Sequence, residues 1–112
     1  MSKHKEFYFK EGCYIEEWLN DIDNKDMSIA RVRIEPNTET KLHSLLGTIE
    51  RYVILNGNGL VSINDQLTHV SEGDVVTIQA EESQKIRNEE TRDLIFLAIC
   101  TPRFKVENYQ QL

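Results

Sequence analysis

Hydrophobic and polar residues alternate along several short segments of the chain. Ala30, Val32 and Ile34 occupy every second position, and Arg31 and Arg33 lie between them. In an extended strand this spacing places the apolar side chains on one face and the arginines on the other. Similar short patterns, alternating or rich in β-branched and aromatic residues, occur at 50–55, 60–63, 75–78 and 94–99. We therefore predict that these segments are β-strands.

Turn-forming residues separate the predicted strands. Pro36-Asn37 follows the first strand, and Asn56-Gly57 predicts a hairpin between the next two because both residues tolerate positive φ angles. The other turn signals are Asn64-Asp65, Glu72-Gly73-Asp74 and Asn88-Glu89-Glu90. Only two short segments, 106–112 and 20–25, are candidates for helices. Many short strands with little helical pattern indicate an all-β sandwich or barrel.

Composition narrows the class of protein further. The chain has 112 residues, enough for one domain, and 13 basic against 19 acidic residues give a net charge of −6. This charge disfavours binding to nucleic acid or to an anionic membrane surface. No apolar run is long enough to span a membrane, and the charged N-terminus does not resemble a signal peptide. We expect a cytoplasmic protein with its two cysteines, Cys13 and Cys100, buried and reduced.

Residues 37–88 resemble the two conserved motifs of the cupin family. In the first motif, Asn37 stands at the glycine position, and His43, Glu50 and Gly57 follow at the family spacing. The second motif begins at Gly73-Asp74 and continues to Asn88. The closing segment, Thr101 to Tyr109, also resembles that of small single-domain bacterial cupins. The resemblance implies a double-stranded β-helix, or jelly-roll barrel, over residues 11–112, preceded by a partly disordered leader, residues 1–10, and ending in a short tail or helix.

The resemblance also implies where a metal would lie. Metal-dependent cupins use three histidines and a glutamate, and those positions here hold His43, Leu45, Glu50 and Gln84. One alternative is a divalent metal held by His43, Glu50 and Gln84 in an enzyme of isomerase, lyase or dioxygenase type, acting on a small sugar or carboxylate. The other is a metal-free or weakly metal-binding pocket that takes a small polar ligand, without an organic cofactor.

Strand parity extends the set of candidate site residues. If His43 and Glu50 point into the barrel, the residues two positions further along each strand do so as well. Leu45, Gln84 and Ile86 are then candidates for contact with a ligand. Glu50, His43 and Tyr52 are the candidates for acid–base catalysis, although the sequence leaves open whether the protein is an enzyme.

Two further expectations concern the site and the assembly. We expect His43, Glu50 and Gln84 to converge inside the barrel mouth, with Tyr52 beside them. The segment from Cys13 to Leu19 carries more apolar surface than a lone edge strand should expose, which predicts a homodimer.

Overall fold

Two antiparallel β-sheets lie face to face in the computed structural model, which describes residues 4–112. In chain order the strands are β1 Phe7–Phe9, β2 Cys13–Leu19, β3 Ser28–Ile34, β4 Thr38–Glu39, β5 His43–Leu45, β6 Ile49–Asn56, β7 Asn58–Ile63, β8 Gln66–Ser71, β9 Val75–Ile78, β10 Gln84–Asn88, β11 Leu94–Thr101 and β12 Tyr109–Gln111. The first sheet has the order β1-β2-β3-β11-β6-β9, and the second has the order β12-β5-β10-β7-β8, with β4 also paired to β10. Within the described residues, no helix is long and apolar enough to cross a membrane.

The predicted alternation matches the two faces of the first sheet. Val32 and Ile34 are buried on the face that meets the second sheet, whereas Arg31 and Arg33 lie on the outer face. Apolar side chains from both sheets form one core between them. Its buried members are Cys13, Val32, Ile34, Tyr52, Ile54, Val61, Val70, Ile78, Ile86, Leu94, Phe96 and Ala98.

The Asn56-Gly57 turn is a corner between the sheets and not a hairpin, so that prediction is wrong. Strand β6 pairs with β11 and β9, and β7 pairs with β10 and β8. Gly57 has a φ of 91° and packs so tightly that a Cβ atom there would lie 2.9 Å from the carbonyl oxygen of Asp93. The glycine therefore serves close packing at the corner. The hairpin between β7 and β8 is instead made by Asn64 and Asp65, both with positive φ.

Both helix candidates are also wrong. Residues 20–25 contain a turn and no helix, and the tail has a single 3-10 turn at Val106–Asn108. Strand β12 follows this turn and pairs with β5, because Tyr109 gains a buried position against Phe9 and His43 there. Tertiary contacts outweigh the weak helical preference of a short segment.

The N-terminal segment contributes to the first sheet. Residues 1–10 are predicted to be a partly disordered leader, but Phe7–Phe9 form β1 and pair with Cys13–Ile15 of β2. Residues 1–3 of that leader lie outside the described residues.

Candidate functional site

A cavity of about 460 Å³ lies against the inner face of the first sheet and is covered by the tail segment 103–107. Its walls are mostly apolar, and polar groups occur at two levels. The deep end of the cavity is lined by Glu11, Glu50, Tyr52 and Cys100, and its rim is formed by exposed or half-buried side chains. The principal wall residues are Phe7, Phe9, Ile15, Val32, Phe96, Ala98 and Phe104. An apolar cavity of this volume with a few convergent polar groups is typical of small-molecule sites.

Strand β6 carries Glu50 and Tyr52 to the deep end of the cavity. The two residues are separated by one position, so both project from the same face of the strand. The Tyr52 hydroxyl donates a hydrogen bond to Oε1 of Gln84 on β10. Glu50 lies near the Gln84 amide and the Cys100 thiol, but its Oε1 atom is buried and has no hydrogen-bond partner among residues 4–112.

A second carboxyl, that of Glu11, lies at the same end of the cavity. Glu11 occupies the turn between β1 and β2, and its Oε1 atom is 3.2 Å from Nε2 of His43. The other ring nitrogen, Nδ1, lies 2.7 Å from the carbonyl oxygen of Lys41. A carbonyl oxygen accepts hydrogen bonds and does not donate them, so Nδ1 carries the ring proton and Nε2 is an acceptor in the neutral imidazole.

The position of the proton between Glu11 and His43 follows from this geometry. Burial and the nearby Glu50 carboxylate raise the pKa of Glu11 to about 8. Burial lowers the pKa of His43, opposed by the hydrogen bond to Lys41. Both shifts favour the neutral forms, with the O–H of Glu11 donating to Nε2 of His43. The Cys13 thiol completes the contacts of Glu11 by donating to Oε2 at 3.7 Å.

The Glu50 carboxyl also resists ionisation. Burial raises its pKa to about 7, although the neighbouring Gln84 amide and Cys100 thiol act in the opposite direction. Glu11 keeps 15% of its side-chain surface exposed, and Glu50 is likewise not fully covered, because the cavity reaches both residues. Near pH 7 the deep end therefore holds one protonated carboxyl and one that readily gains or loses its proton.

Both cysteines are buried thiols at this site, as predicted. Burial and the charges of Glu11 and Glu50 raise the pKa of Cys13 and of Cys100 far above the ordinary range. Neither thiol forms a reactive thiolate in this environment.

Polar contacts hold the tail segment over the cavity. The Asn20 side-chain amide donates to the carbonyl oxygen of Phe104 at 3.0 Å and accepts from the Arg103 guanidinium at 2.8 Å. The backbone N–H of Phe104 donates to Oγ of Ser28 at 2.8 Å. Charged side chains of both signs surround the opening: Glu17, Arg103, Lys105 and Glu107.

The structure brings together part of the predicted residue set. Glu50, Tyr52 and Gln84 form one group, and His43 reaches Glu11. Leu45 packs instead with Cys100 and Tyr109 in a separate small cluster. Ile86 is fully buried in the main core. Among the cavity-lining residues, only Glu50 and Tyr52 belong to the predicted set.

Sequence reasoning missed Glu11. This residue precedes both family motifs, in a turn that the sequence places at the boundary of the leader. A single charged residue before Gly12 carries no signal of burial. Its contact with His43 depends on the packing of the β1–β2 turn against the segment that leads into β5, where the N–H of Lys41 donates to the Glu11 carbonyl oxygen.

The donor set does not fit a divalent metal. No group of three or more His, Cys, Asp or Glu side chains within residues 4–112 is arranged to hold one. Nδ1 of His43 is bonded to a backbone carbonyl, Nε2 contacts Glu11, and Oε1 of Gln84 accepts from Tyr52. Leu45 has no donor atom. These contacts engage His43 and Gln84, so of the three predicted ligands only Glu50 keeps an oxygen without a hydrogen-bond partner among residues 4–112.

Comparison with known proteins identifies relatives of this chain. A family model described as a cupin domain matches residues 30–100. The oxalate-binding protein of Thermotoga maritima is 36% identical over 76 residues, which span 68% of this chain and 63% of the relative's length. Two solved structures share the fold. A predicted oxalate decarboxylase from the same organism has 27% identity and a TM-score of 0.73, covering 88% of this chain and 91% of its own. Pac13 of Streptomyces, described as a unique nucleoside dehydratase, has 13% identity and a TM-score of 0.83. The match covers 98% of this chain and 85% of Pac13.

Proposed function

The chain belongs to the cupin domain family, and we propose that it binds a small, uncharged organic molecule in the cavity of the first sheet without a metal. The predicted double-stranded β-helix fold is confirmed, but one fold hosts many functions, so the residues of the site decide the function. The observation that supports the proposal is the cavity of about 460 Å³ with Glu11 and Glu50 at its deep end.

The walls favour a ligand with an apolar or aromatic body. Phe7, Phe9, Phe96 and Phe104 all line the cavity, and burial of a ring or short chain against them is favourable. The deep end favours a hydroxyl or carbonyl group on that body. Glu50, whose Oε1 atom has no hydrogen-bond partner among the described residues, can accept or donate a hydrogen bond according to its protonation.

A small dianion fits this site poorly. The relative from Thermotoga maritima is named for oxalate, which supports a role in small-molecule binding for this chain as well. Oxalate itself would place two negative charges beside Glu11 and Glu50, and no cationic side chain of the described residues acts on either carboxyl. The cations of the opening, Arg103 and Lys105, lie at the rim and not at the carboxyls. We therefore favour an uncharged ligand.

The proposal can be tested with protein that has been treated with a chelator. Benzamide and benzyl alcohol are neutral aromatic probes, and oxalate is the charged one. We expect saturation-transfer NMR at pH 7.5 to detect binding of the neutral probes and none of oxalate. Ala98→Leu fills the cavity and should abolish the signal. Leu97→Met, on the opposite face of the same strand, is the matched control and should preserve it.

Two results would contradict the proposal. Binding that persists in the Ala98→Leu variant would place the neutral probes elsewhere on the protein. Tight binding of oxalate by the metal-free protein would show that the charge argument is wrong.

A further inference from the structure

We infer that the tail segment 103–107 is a lid that opens to admit the ligand, and that the side chains of Asn20 and Ser28 form the latch that holds it shut. This inference rests on the proposed function, because a lid controls only a cavity that takes a ligand. Neither latch residue lies within the family motifs at 37–88.

Within residues 4–112, the tail segment is the only wall of the cavity that is not part of the first sheet or directly beside it. The other lining residues lie on β1, β2, β3, β11 and β6, or next to β2 at Glu11 and Asn20. These five strands are consecutive neighbours in the sheet, and a hydrogen-bonded ladder leaves no passage between strands. A ligand therefore reaches the deep end on the side that the tail segment covers.

Phe104 obstructs the opening of the cavity. Its ring and that of Phe9 on β1 both line the cavity, and they meet edge to face with centroids 6.1 Å apart and 84° between the planes. Two rings in contact leave no room for a third between them. The tail segment must therefore move away from β1 before an aromatic ligand can enter.

Both ends of the tail segment are fixed, so only its middle can move. At its start, the backbone N–H of Arg103 donates to the carbonyl oxygen of Lys25 at 3.0 Å. After it, β12 pairs with β5, and the N–H of Leu46 donates to the Asn108 carbonyl oxygen at 2.9 Å. The three residues between are exposed and have little packing to lose: Lys105, Val106 and Glu107. Such a strap can open locally while both sheets stay folded.

The latch holds the backbone of Phe104. Its N–H donates to Oγ of Ser28 at 2.8 Å, and its carbonyl oxygen accepts from Nδ2 of Asn20 at 3.0 Å. Both partners are side-chain atoms, so either bond can break without disturbing a strand ladder. The Asn20 amide is itself held in place, because it also donates to Glu17 at 2.7 Å and accepts from Arg103 at 2.8 Å.

Loss of a latch bond changes the rates of ligand exchange more than the affinity. The latch bonds join protein to protein and not protein to ligand. Their removal therefore shifts the lid toward its open form to the same extent in the free and in the loaded protein. The association and dissociation rate constants rise together, and their ratio, the dissociation constant, stays nearly constant.

The experiment uses 4-fluorobenzyl alcohol, a neutral aromatic probe, with the full chain after treatment with a chelator. Fluorine NMR relaxation dispersion measures the dissociation rate of the probe, and a titration measures its dissociation constant. We expect the dissociation rate to rise about fivefold in Asn20→Ala and in Ser28→Ala, the scale of one net hydrogen bond, with a nearly unchanged dissociation constant. Asn24→Ala, which removes an exposed bond to Asp21, is the matched control and should keep both values.

The lid is also observable without a ligand. Amide hydrogen exchange at Phe104 requires its bond to Ser28 to open, so the exchange rate reports how often the lid is open. In Asn20→Ala, exchange at Phe104 should accelerate by the same factor as dissociation of the probe, because one opening serves both. The amide of Leu97, in the middle of β11, should exchange as in the parent protein, which separates lid opening from a general loss of stability.

The possible failures are distinguishable. If the probe binds but dissociates at the parent rate from both latch variants, the ligand enters by another route and the lid inference is overturned, whereas the proposed cavity stands. If dissociation accelerates and exchange at Phe104 does not, the faster release does not come from the lid and the inference is equally overturned. If the probe does not bind the parent protein, both the lid and the proposed function fall.

Discussion

Nε2 of His43 and Oε1 of Glu11 lie 3.2 Å apart, and this contact joins β5 to the turn between β1 and β2. The histidine occupies a position at which the family resemblance implies a metal ligand, yet its partner here is a carboxyl. The contact turns an expected metal ligand into one half of a neutral, hydrogen-bonded pair. It also links the N-terminal segment to the cavity, because Phe7 and Phe9 of β1 form part of the wall.

The two buried carboxyls predict that stability falls as the pH rises. In the unfolded chain both titrate near the ordinary value of 4.5, whereas in the folded protein the pKa is about 8 for Glu11 and about 7 for Glu50. The folded protein therefore binds more protons than the unfolded chain between pH 4.5 and about pH 8. Their stabilising contribution is complete below pH 4.5 and is lost by about pH 8.

Thermal or denaturant unfolding between pH 5 and pH 8 measures this effect. From the two shifts together we expect the free energy of unfolding to fall by about 6 kcal/mol over this range. Glu11→Gln and Glu50→Gln should each flatten the profile, and Glu89→Gln should leave it unchanged. The lowered pKa of His43 acts in the opposite direction, since its contribution is lost as the pH falls below about 6.5. A profile that is flat in the parent protein would show that the carboxyls are not desolvated.

Metal affinity should be low in the parent protein and should rise when the missing imidazoles are supplied. Leu45→His together with Gln84→His restores the histidines at the family's ligand positions and removes the Tyr52–Gln84 hydrogen bond. We expect at least a tenfold gain in affinity for Ni²⁺ or Mn²⁺ by calorimetry, because imidazole is a far better ligand than a leucine or an amide. Leu46→His with Gln84→His is the matched control, since Leu46 is exposed. Equal affinity in both double variants would argue against a latent metal site.

The Asn20 side chain should hold the tail segment closed. Asn20→Ala removes the hydrogen bonds to the Phe104 carbonyl oxygen and to the Arg103 guanidinium. We expect a loss of about 1 kcal/mol in stability and faster amide hydrogen exchange in residues 103–107. Asn24→Ala removes an exposed bond to Asp21 and serves as the control. If amide hydrogen exchange in residues 103–107 is unchanged in Asn20→Ala, the other contacts of the tail segment are sufficient to hold it over the cavity.

A homodimer remains a prediction from the apolar β2 strand, although β2 is not the edge strand that the sequence suggested, because it lies between β1 and β3. Trp18 keeps 41% of its surface exposed on the outer side of the first sheet, and Tyr14 lies on the same face beside Arg33. Burial of these rings against a second copy would be favourable. We expect light scattering at micromolar concentration to give twice the mass of the chain, and Trp18→Glu to give the mass of one chain. A single-chain mass for the parent protein would exclude this dimer.

The sequence by itself determined the strands β3, β6, β7, β9 and β11, the fold family, and the fact that Glu50 and Tyr52 share one face of their strand. Strand alternation is a local property with a period of two residues, so Val32, Ile34 and Tyr52 identify their own buried face without knowledge of their partners. Asn37 stands at the glycine position of the first motif, and its φ of 55° lies in the left-handed region that glycine adopts readily.

The tertiary structure alone decided which strands pair and which side chains meet. The Asn56-Gly57 corner resembles a hairpin locally, but its strands enter different sheets because each has a better partner elsewhere. The tail becomes a strand only when β5 is present to pair with it. Glu11 joins the site through a turn that packs beside β5, a contact between segments distant in the chain. The charge states of Glu11, Glu50 and His43 depend on burial, and burial arises only when these segments assemble.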